Sequence, residues 1–268
     1  MPLAAALATV GASGKPLLPY QAILAALSGQ GTPADGPTQA WLAANYVPGM
    51  PFAVLKDSTG SAGAKLRGTG NVLAWWGDGT STTTALTGSD TDVGKSGVAA
   101  TARGIILLGN VTEWRASAAY GNAYTLTRMP TSLTYLHLYS TGVSGDITAV
   151  SSLTSLTYLH LGGTGVSGDI TAVSSLTSLM YLYLYSTGVS GATSPTINSI
   201  PSLATCSLSS DSLPQVAVDT ILSDAVDSLS LGGRVTCALG LSGNAAPSAA
   251  GLNDKATLVS AGWTVTTA

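Results

Sequence analysis

Charge is scarce in this 268-residue chain: Asp, Glu, Lys and Arg make up 9% of it, and the formal net charge is -3. Without a basic field to hold a phosphate backbone or an anionic bilayer, nucleic acid is not an expected partner. Glu113 is the only glutamate and there are two histidines, so acid–base groups are scarce. The sequence shows no nucleophile with an oriented base, no carboxylate pair and no phosphate loop. We therefore expect neither an enzyme nor a cofactor.

Cysteines and long apolar runs are also lacking. Two cysteines are too few for a metal cluster or a disulfide framework. Cys206 stands where the repeats described below carry leucine, which favours a buried thiol over a disulfide with Cys237. No stretch reaches the roughly 18 consecutive apolar residues of a membrane span, so we expect no membrane insertion. The opening MPLAAALATVGASG lacks the basic start of a secretory signal.

Hydrophobic residues are nevertheless plentiful, at 45%, and 32 glycines indicate a turn-rich, β-dominated protein with few helices. Residues 1–48 contain two short helical patterns, PLLPYQAILAAL and TQAWLAANY. Helices of this length need a docking surface, either the rest of the chain or another subunit. We interpret 1–48 as a helical docking segment.

Strand patterns replace the helical ones over 49–110. In LAWWGDGTSTT a Gly-Asp-Gly-Thr turn at 77–80 separates a Trp-rich strand from a Thr-rich one, which predicts a hairpin. Asp78 is interpreted as a turn residue and not as a calcium ligand. This segment resembles the W-G-D-G-T hairpin of modules of the polycystic kidney disease type. The resemblance implies a small β-sandwich-like module over 49–110.

The clearest pattern is an internal repeat: SLTYLHLYSTGVSGDI begins at Ser132 and SLTYLHLGGTGVSGDI begins 23 residues later at Ser155. A fixed period in the twenties with an L-x-x-L-x-L core indicates a solenoid, in which each turn adds one strand to a parallel sheet. The repeats closely resemble the leucine-rich repeat family over about residues 110–240, with a degenerate first copy at Val111, Trp114 and Ala116. We therefore predict a mixed α/β, β-dominated fold with a leucine-rich repeat solenoid over 111–210.

The open end of a solenoid exposes core and sheet edge, so a cap is expected over 211–268. The segment LPQVAVDTILSDAV predicts a helix that follows Asp211 and Ser212 as its capping candidates, and PSAAGLNDKATLVSAG predicts a second helix that stops at Gly262. The tail WTVTT predicts a last strand. This ending resembles the terminal cap of leucine-rich repeat proteins in bacterial and bacteriophage surface structures.

The second half of each repeat, TGVSGDI, resembles plant-type repeats but has threonine at 141, 164 and 187, where those repeats carry asparagine. Such an asparagine bonds the backbone of the turn, so threonine should close the turn less completely and distort the arc.

Candidate binding residues lie between the inward leucines, where alternate side chains must point outward in columns about 4.8 Å apart. Six of the ten tyrosines and both histidines fall there: Tyr135, His137, Tyr139, Tyr158, His160, Tyr181, Tyr183 and Tyr185. Such a surface is typical of protein or sugar contacts. The alternative is that stacked aromatics only stabilise the sheet and were copied with the repeat. No acid or cysteine lies in the same columns as the histidines to complete a metal site. Asp146 and Asp169 are suited to capping backbone N–H groups, so we expect no metal site there either.

These features favour a non-enzymatic bacteriophage virion structural or decoration protein. In this interpretation 1–48 binds other virion proteins within a homo-oligomer or larger assembly, and the solenoid contacts a host surface protein or glycan. One alternative is a bacterial cell-surface leucine-rich repeat adhesin, and another is a carbohydrate-active enzyme or inhibitor on a solenoid. Packing of the N-terminal helices on the chain's own β module would favour the adhesin.

Overall fold

The computed structural model describes residues 20–29, 36–57, 61–97, 103–120, 123–191, 197–230 and 237–268. The helices within these ranges are α1 (Gln21–Gly29), α2 (Gly36–Asn45), α3 (Gln215–Ser230) and α4 (Ala249–Ser260). None of these described helices has the length and apolar character needed to cross a membrane.

The strands divide between an N-terminal β module and the solenoid. The first five are β1 (Phe52–Asp57), β2 (Ser61–Trp75), β3 (Ser81–Thr87), β4 (Thr91–Ser96) and β5 (Arg103–Arg115). The next five are β6 (Tyr124–Arg128), β7 (Tyr135–His137), β8 (Ser144–Asp146), β9 (Tyr158–His160) and β10 (Gly165–Asp169). The last five are β11 (Tyr181–Tyr183), β12 (Gly188–Ser190), β13 (Thr205–Ser207), β14 (Ala238–Gly240) and β15 (Thr264–Thr266).

Hydrogen bonds join all described strands into one sheet with two parallel rows. The first row runs β5, β7, β9, β11, β13, β14, β15, and the second runs β6, β8, β10, β12. β1 lies between β5 and β6, antiparallel to both, and so connects the rows. The predicted β-dominated leucine-rich repeat solenoid is confirmed. The division of the chain into four domains stays a prediction.

β5 belongs to both the β module and the solenoid. Residues 103–108 pair antiparallel with β1, and residues 113–115 pair antiparallel with β2 on one side and parallel with β7 on the other. Trp114 lies opposite Leu136, which confirms the degenerate first copy of the repeat. The expected boundary at 110–111 therefore falls inside one continuous strand, and backbone hydrogen bonds fix the orientation of the module relative to the repeats.

Helices α1 and α2 cover one face of the β module. Along β1, Phe52 and Val54 pack with the helices, whereas Ala53 and Leu55 point into the main core, as strand alternation requires. The indole of Trp75 donates a hydrogen bond to Thr38 Oγ1 at 3.1 Å. The described part of the docking segment thus packs on the chain's own β module. Residues 1–19 lie outside the described residues.

The predicted hairpin is confirmed, because β2 pairs with β3 from Thr69↔Thr87 to Trp75↔Ser81. Asp78 Oδ1 accepts hydrogen bonds from Thr80 N at 3.0 Å and Thr80 Oγ1 at 2.6 Å, and Lys95 Nζ bonds Asp78 Oδ2. Burial opposes ionisation of Asp78, but these bonds outweigh it and lower its pKa to about 2. Asp78 is therefore a turn residue, as expected. The likeness to polycystic kidney disease modules stays a prediction.

In the solenoid the repeated leucines form aligned buried columns. Leu136, Leu159, Leu182 and Cys206 lie side by side in the parallel register and are almost fully buried. Cys206 and Cys237 are both buried thiols with no disulfide. The predicted cap helices α3 and α4 are present, and Ser248 is the N-cap of α4. The cap also adds β14 and β15 to the parallel sheet.

Asp211 and Ser212 do not cap α3, contrary to expectation. Instead Asp211 lies in the turn that follows its strand, three residues after Leu208, and Thr187 lies three residues after Leu184 in the preceding repeat. We call these equivalent turn positions of successive repeats the turn column. Its Oδ1 accepts hydrogen bonds from Thr187 N at 2.7 Å and Thr187 Oγ1 at 3.1 Å. The first turn of α3 is held by the carbonyl of Pro214, which accepts from Ala217 N and Val218 N.

Asparagine occupies this turn column only in the cap, at Asn244. Its side chain donates to the carbonyls of Leu208 and Leu241 and accepts from the N–H groups of Asp211 and Leu213. Thr164 at the equivalent position donates to Leu161 O at 2.6 Å and accepts from Val166 N at 3.4 Å. The expectation that threonine closes the turn less completely is confirmed by these fewer bonds.

Asp211 is a buried carboxylate that lacks a full set of partners. Its Oδ2 is buried and has no hydrogen-bond partner among the described residues. Burial raises the pKa of Asp211 to about 6, against the hydrogen bonds from Thr187, which lower it. Because this folded-state pKa exceeds the ordinary value of about 3.9, protonated Asp211 stabilises the fold below about pH 4. That contribution is lost as the pH rises through 6.

We predict that Asp211→Asn stabilises the protein at pH 7 by about 1–3 kcal/mol and has little effect at pH 4. The amide keeps the acceptor for Thr187 and removes the charge that burial disfavours. Urea denaturation at both pH values measures the difference. Asp211→Ala is the control, because it removes the acceptor and should destabilise at both pH values. Equal free energies of unfolding for wild type and Asp211→Asn at pH 7 would contradict the prediction.

Candidate functional site

The parallel register places the predicted binding residues in columns on one face. Tyr135, Tyr158 and Tyr181 are neighbours in one column, and His137, His160 and Tyr183 are neighbours in the next. Each lies beside a buried leucine of its own strand, so its side chain must leave the sheet on the opposite side. We call the eight residues the aromatic ladder: Tyr135, His137, Tyr139, Tyr158, His160, Tyr181, Tyr183 and Tyr185. Whether the aromatic ladder binds a partner stays a prediction.

Ring stacking holds the aromatic ladder together. The centroids of Tyr135 and Tyr158 are 4.4 Å apart with an interplanar angle of 10°, and those of Tyr139 and His160 are 4.8 Å apart at 20°. The His160 and Tyr183 centroids are 4.9 Å apart at 48°. These separations lie within the range in which aromatic pairs attract. The inner ring faces are therefore occupied by other members of the ladder.

A glycine gap lets one tyrosine fold inward. Gly162 follows β9 at the position that is Tyr139 in the preceding repeat and Tyr185 in the next. A Cβ at Gly162 would lie 2.9 Å from Tyr185 Cζ, so the ring fills the space that a side chain would take. This position brings the Tyr185 hydroxyl to 3.2 Å from His160 Nε2. Gly162 is thus part of the site although it contributes no side chain.

The ladder is half-buried and not fully open. Tyr139 and Tyr181 are its most exposed members, with 45% and 38% of their surface accessible, and Met180 beside Tyr181 is 42% exposed. The other six are of intermediate exposure. The rings of Tyr139 and Tyr181, together with the partly exposed remainder of the ladder, form the surface offered to a partner.

Sequence reasoning missed a charged group at the first end of the ladder. The guanidinium of Arg115 lies 4.6 Å from the centroid of the Tyr135 ring, a cation–π contact. Arg115 also pairs with Glu113 at 2.6 Å, and Arg67 pairs with Asp90 at 2.5 Å and with Glu113 at 3.4 Å. The degenerate first repeat was the available signal, because it places Glu113 and Arg115 in the columns of Tyr135 and His137.

Burial makes both histidines neutral at physiological pH. It lowers the pKa of His160 to about 4, with a further contribution from the charge of His137. The pKa of His137 is also lowered, by burial first and by Arg115 in addition. A neutral imidazole has one N–H and one acceptor nitrogen, so His160 can bond Tyr185 on one side and Tyr158, at 3.5 Å, on the other.

Two tyrosines of the ladder, Tyr158 and Tyr185, hold their protons more tightly than usual. Burial and the neighbouring Tyr135 and Tyr183 raise the pKa of Tyr158 to about 12. Burial and Tyr139 likewise raise the pKa of Tyr185. The ladder at neutral pH is therefore an uncharged set of rings and hydroxyl groups.

The acids of the repeats serve the backbone, as expected. Asp146 Oδ1 accepts from Thr148 N and Asp169 Oδ1 accepts from Thr171 N, both at 2.8 Å, so each caps a short 3₁₀ helix. Within the described ranges, no group of three or more His, Cys, Asp and Glu side chains is placed to hold a metal ion.

No family model matches the chain, and no curated protein matches it. Similar solved structures are those of leucine-rich repeat proteins. PEPR1–AtPEP1 is 23% identical with a TM-score of 0.39, over 50% of this chain and 18% of that one. An internalin (inlF) from Listeria monocytogenes is 22% identical with a TM-score of 0.35, over 48% and 40% of the two chains.

A TDR receptor is 22% identical with a TM-score of 0.36, over 52% of this chain and 24% of that one. This chain therefore spans less than half the length of each of these three structures. With TM-scores below 0.5, the likenesses carry no argument about what this chain binds.

We predict that His160 titrates near pH 4 and His137 below its ordinary value of about 6.5. Both folded-state pKa values are depressed, so the contribution of the two histidines to stability should fall as the pH drops from 6.5 towards 4, where their unfolded forms bind protons that the folded ones do not, whereas Asp211 contributes in the opposite direction over this range. Proton NMR of the imidazole resonances measures both values, and His137→Gln assigns them because the chain has two histidines. Two titrations near 6.5 in folded protein would show that the ladder is not desolvated.

We predict that Gly162→Ala destabilises the protein by about 1–2 kcal/mol, because the new methyl group displaces Tyr185 and breaks its bond to His160. Thermal or urea denaturation measures the loss, and the His160 resonance reports the displaced ring. Gly240→Ala is the matched control, since its Cβ would meet a serine hydroxyl at 3.2 Å, which can rotate away. An equal loss in the free energy of unfolding for Gly162→Ala and Gly240→Ala would show that the Tyr185 ring is not packed against Gly162.

Proposed function

We propose that this chain is a non-enzymatic recognition module whose aromatic ladder contacts a protein partner. One observation supports this above all: six tyrosines and two histidines share one outward face while retaining partly exposed rings and hydroxyl groups. Tyrosine gives a large, rigid contact area at low entropic cost, and its hydroxyl can donate or accept a hydrogen bond. A leucine-rich repeat fold is compatible with a protein–protein interaction surface.

The arrangement of the rings favours a protein over a glycan. Sugar recognition uses flat exposed ring faces, but the closest pair, Tyr135 and Tyr158, stack on each other at 4.4 Å. The hydroxyl tips that remain can bond peptide N–H and C=O groups. With both histidine pKa values lowered and His160 bonded to the Tyr185 hydroxyl, the ladder suits hydrogen bonding more than proton transfer.

The setting proposed for the module is the surface of a virion or of a bacterial cell. Composition and the resemblance of the ending support the virion. The packing of α1 and α2 on the chain's own β module supports the adhesin, because it gives the described helices a docking surface without another subunit. Analytical ultracentrifugation with amide hydrogen exchange distinguishes the two: a monomer with protected α1 and α2 fits the adhesin, whereas a homo-oligomer, or a monomer whose N-terminal segment exchanges freely, fits the virion component.

We predict that short peptides selected from a displayed random library on wild-type protein lose at least about tenfold in affinity on Tyr158→Ala and Tyr181→Ala. Tyr158 lies in the middle strand of the ladder, and Tyr181 is one of its two most exposed rings. Isothermal titration calorimetry of the selected peptides measures the loss, and circular dichroism verifies folding. Thr83→Ala on the exposed side of β3 is the control and should bind the peptides normally.

If correctly folded tyrosine variants bind the peptides with unchanged affinity, the ladder stabilises the sheet but does not bind the partner. Should an alanine variant fail to fold, Tyr158→Phe keeps the stacked ring and removes only the hydroxyl, so that binding can still be tested. A glycan array tests whether the ligand is a sugar. A hydrolysis assay on the same glycans tests whether the chain is a carbohydrate-active enzyme. Ligand turnover there would overturn the proposal of a non-enzymatic module.

A further inference from the structure

A cavity of about 250 Å³ lies on the helix side of the β module and shares no residue with the aromatic ladder. Its walls come from α1, from the segment between α2 and β1, and from the end of β6 and the residues after it. The lining residues that matter for its chemistry are Ala22, Tyr46, Met50, Phe52, Arg128 and Thr131. Ala22 and Thr131 are exposed and mark the mouth of the cavity, whereas Phe52 is buried and forms an inner wall.

A bulge in β6 directs the side chain of Arg128 to this cavity. Regular alternation would place Arg128 on the same side as Leu126, which points into the main core. Leu126 lies opposite Leu55 of β1. Arg128 lies opposite the next residue of β1, Val54, so Thr127 is an extra residue in β6. Because Val54 packs with the helices, Arg128 also lies on the helix side of the strand. The bulge therefore keeps a charge out of the apolar core and places it at the cavity.

The guanidinium of Arg128 has no counter-charge among the described residues. Its central carbon lies 4.7 Å from the centroid of the Phe52 ring, and the Tyr46 ring meets Phe52 edge-on with centroids 6.3 Å apart. Arg128 Nε is buried and bonds no described residue, and Arg128 forms no ion pair with any of them. None of the described lining residues is acidic. A partly buried charge without a partner is costly, so an anion in the cavity would be stabilised there.

We infer that this cavity binds a small organic carboxylate with an aromatic body. The Phe52 ring covers one face of the guanidinium, which leaves the N–H groups in its plane for a ligand. Their planar fork matches the two oxygens of a carboxylate. Met50, Phe52 and the Tyr46 ring provide apolar walls for the rest of the molecule. An apolar cavity of about 150 Å³ holds benzene, so this larger one has room for a ring and its carboxylate. The site does not depend on the function proposed for the ladder.

Isothermal titration calorimetry of the full chain with phenylacetate, phenylacetamide and inorganic phosphate tests the inference. We expect phenylacetate to bind at least about tenfold more tightly than the other two, because phenylacetamide lacks the charge and phosphate lacks the ring. Arg128→Gln should weaken phenylacetate binding at least about tenfold. Lys65→Gln is the matched control, because it removes a positive charge from β2 of the same module, outside the cavity, and should leave the affinity unchanged.

A second variant tests the cavity without changing Arg128, and so keeps the inference testable if Arg128→Gln does not fold. Ala22 is exposed on α1, so Ala22→Phe should leave the helix folded while its ring blocks the mouth and abolishes phenylacetate binding. Gln21→Phe is the control, because it places the same ring on the preceding exposed residue, which does not line the cavity. Circular dichroism verifies the folding of each variant.

Each of the other results would contradict the inference. Equal affinities for phenylacetate and phenylacetamide would show that only the apolar walls bind, and phosphate binding as tight as phenylacetate would show a site for any anion. If Arg128→Gln and Ala22→Phe bind phenylacetate as tightly as the wild type, the ligand occupies another surface, such as the aromatic ladder. Failure of folded wild-type protein to bind phenylacetate would overturn the inference as well. The peptide contact proposed for the ladder is tested separately, by its tyrosine variants.

Discussion

Burial of the repeated leucines is the interaction on which the rest of this structure depends. A strand as short as Tyr158–His160 cannot exclude water from Leu159 by itself; it does so only when Leu136 and Leu182 lie beside it in the same register. A slip of one residue would turn Leu159 outward and Tyr158 inward, so the hydrophobic core fixes the register strictly. The outward columns are a consequence of that register.

The part of the fold that follows from this repetition could be predicted from the sequence. A spacing of 23 residues between Leu136 and Leu159 gives the parallel strands, and alternation along each strand gives the face on which the tyrosines lie. The cap helices were also predictable, because Val218 and Leu222 mark an apolar face by spacing alone. Each of these features depends on residues that are close together in the sequence, and the repeat extends the strand pattern along the chain.

Features that arise between distant segments were not predictable in the same way. No local pattern shows that β1 pairs with both β5 and β6 and so joins the two rows of the solenoid. Asp211 looked like a helix cap because it lies close before α3 in sequence, yet it bonds Thr187 across the turn column. Gly162 looked like a gap in the ladder, whereas the Tyr185 ring fills it from the next repeat.

Stabilisation of the sheet and recognition by the ladder are physically compatible. An isolated exposed tyrosine loses rotamer freedom when it binds, and this loss opposes association. In the ladder, stacking of Tyr135 on Tyr158 and the bond between His160 and Tyr185 restrict the rings before any partner arrives. The free energy that orders the rings is thus supplied by folding. Contacts that strengthen the sheet would therefore also lower the entropic cost of binding at the surface that we propose for recognition.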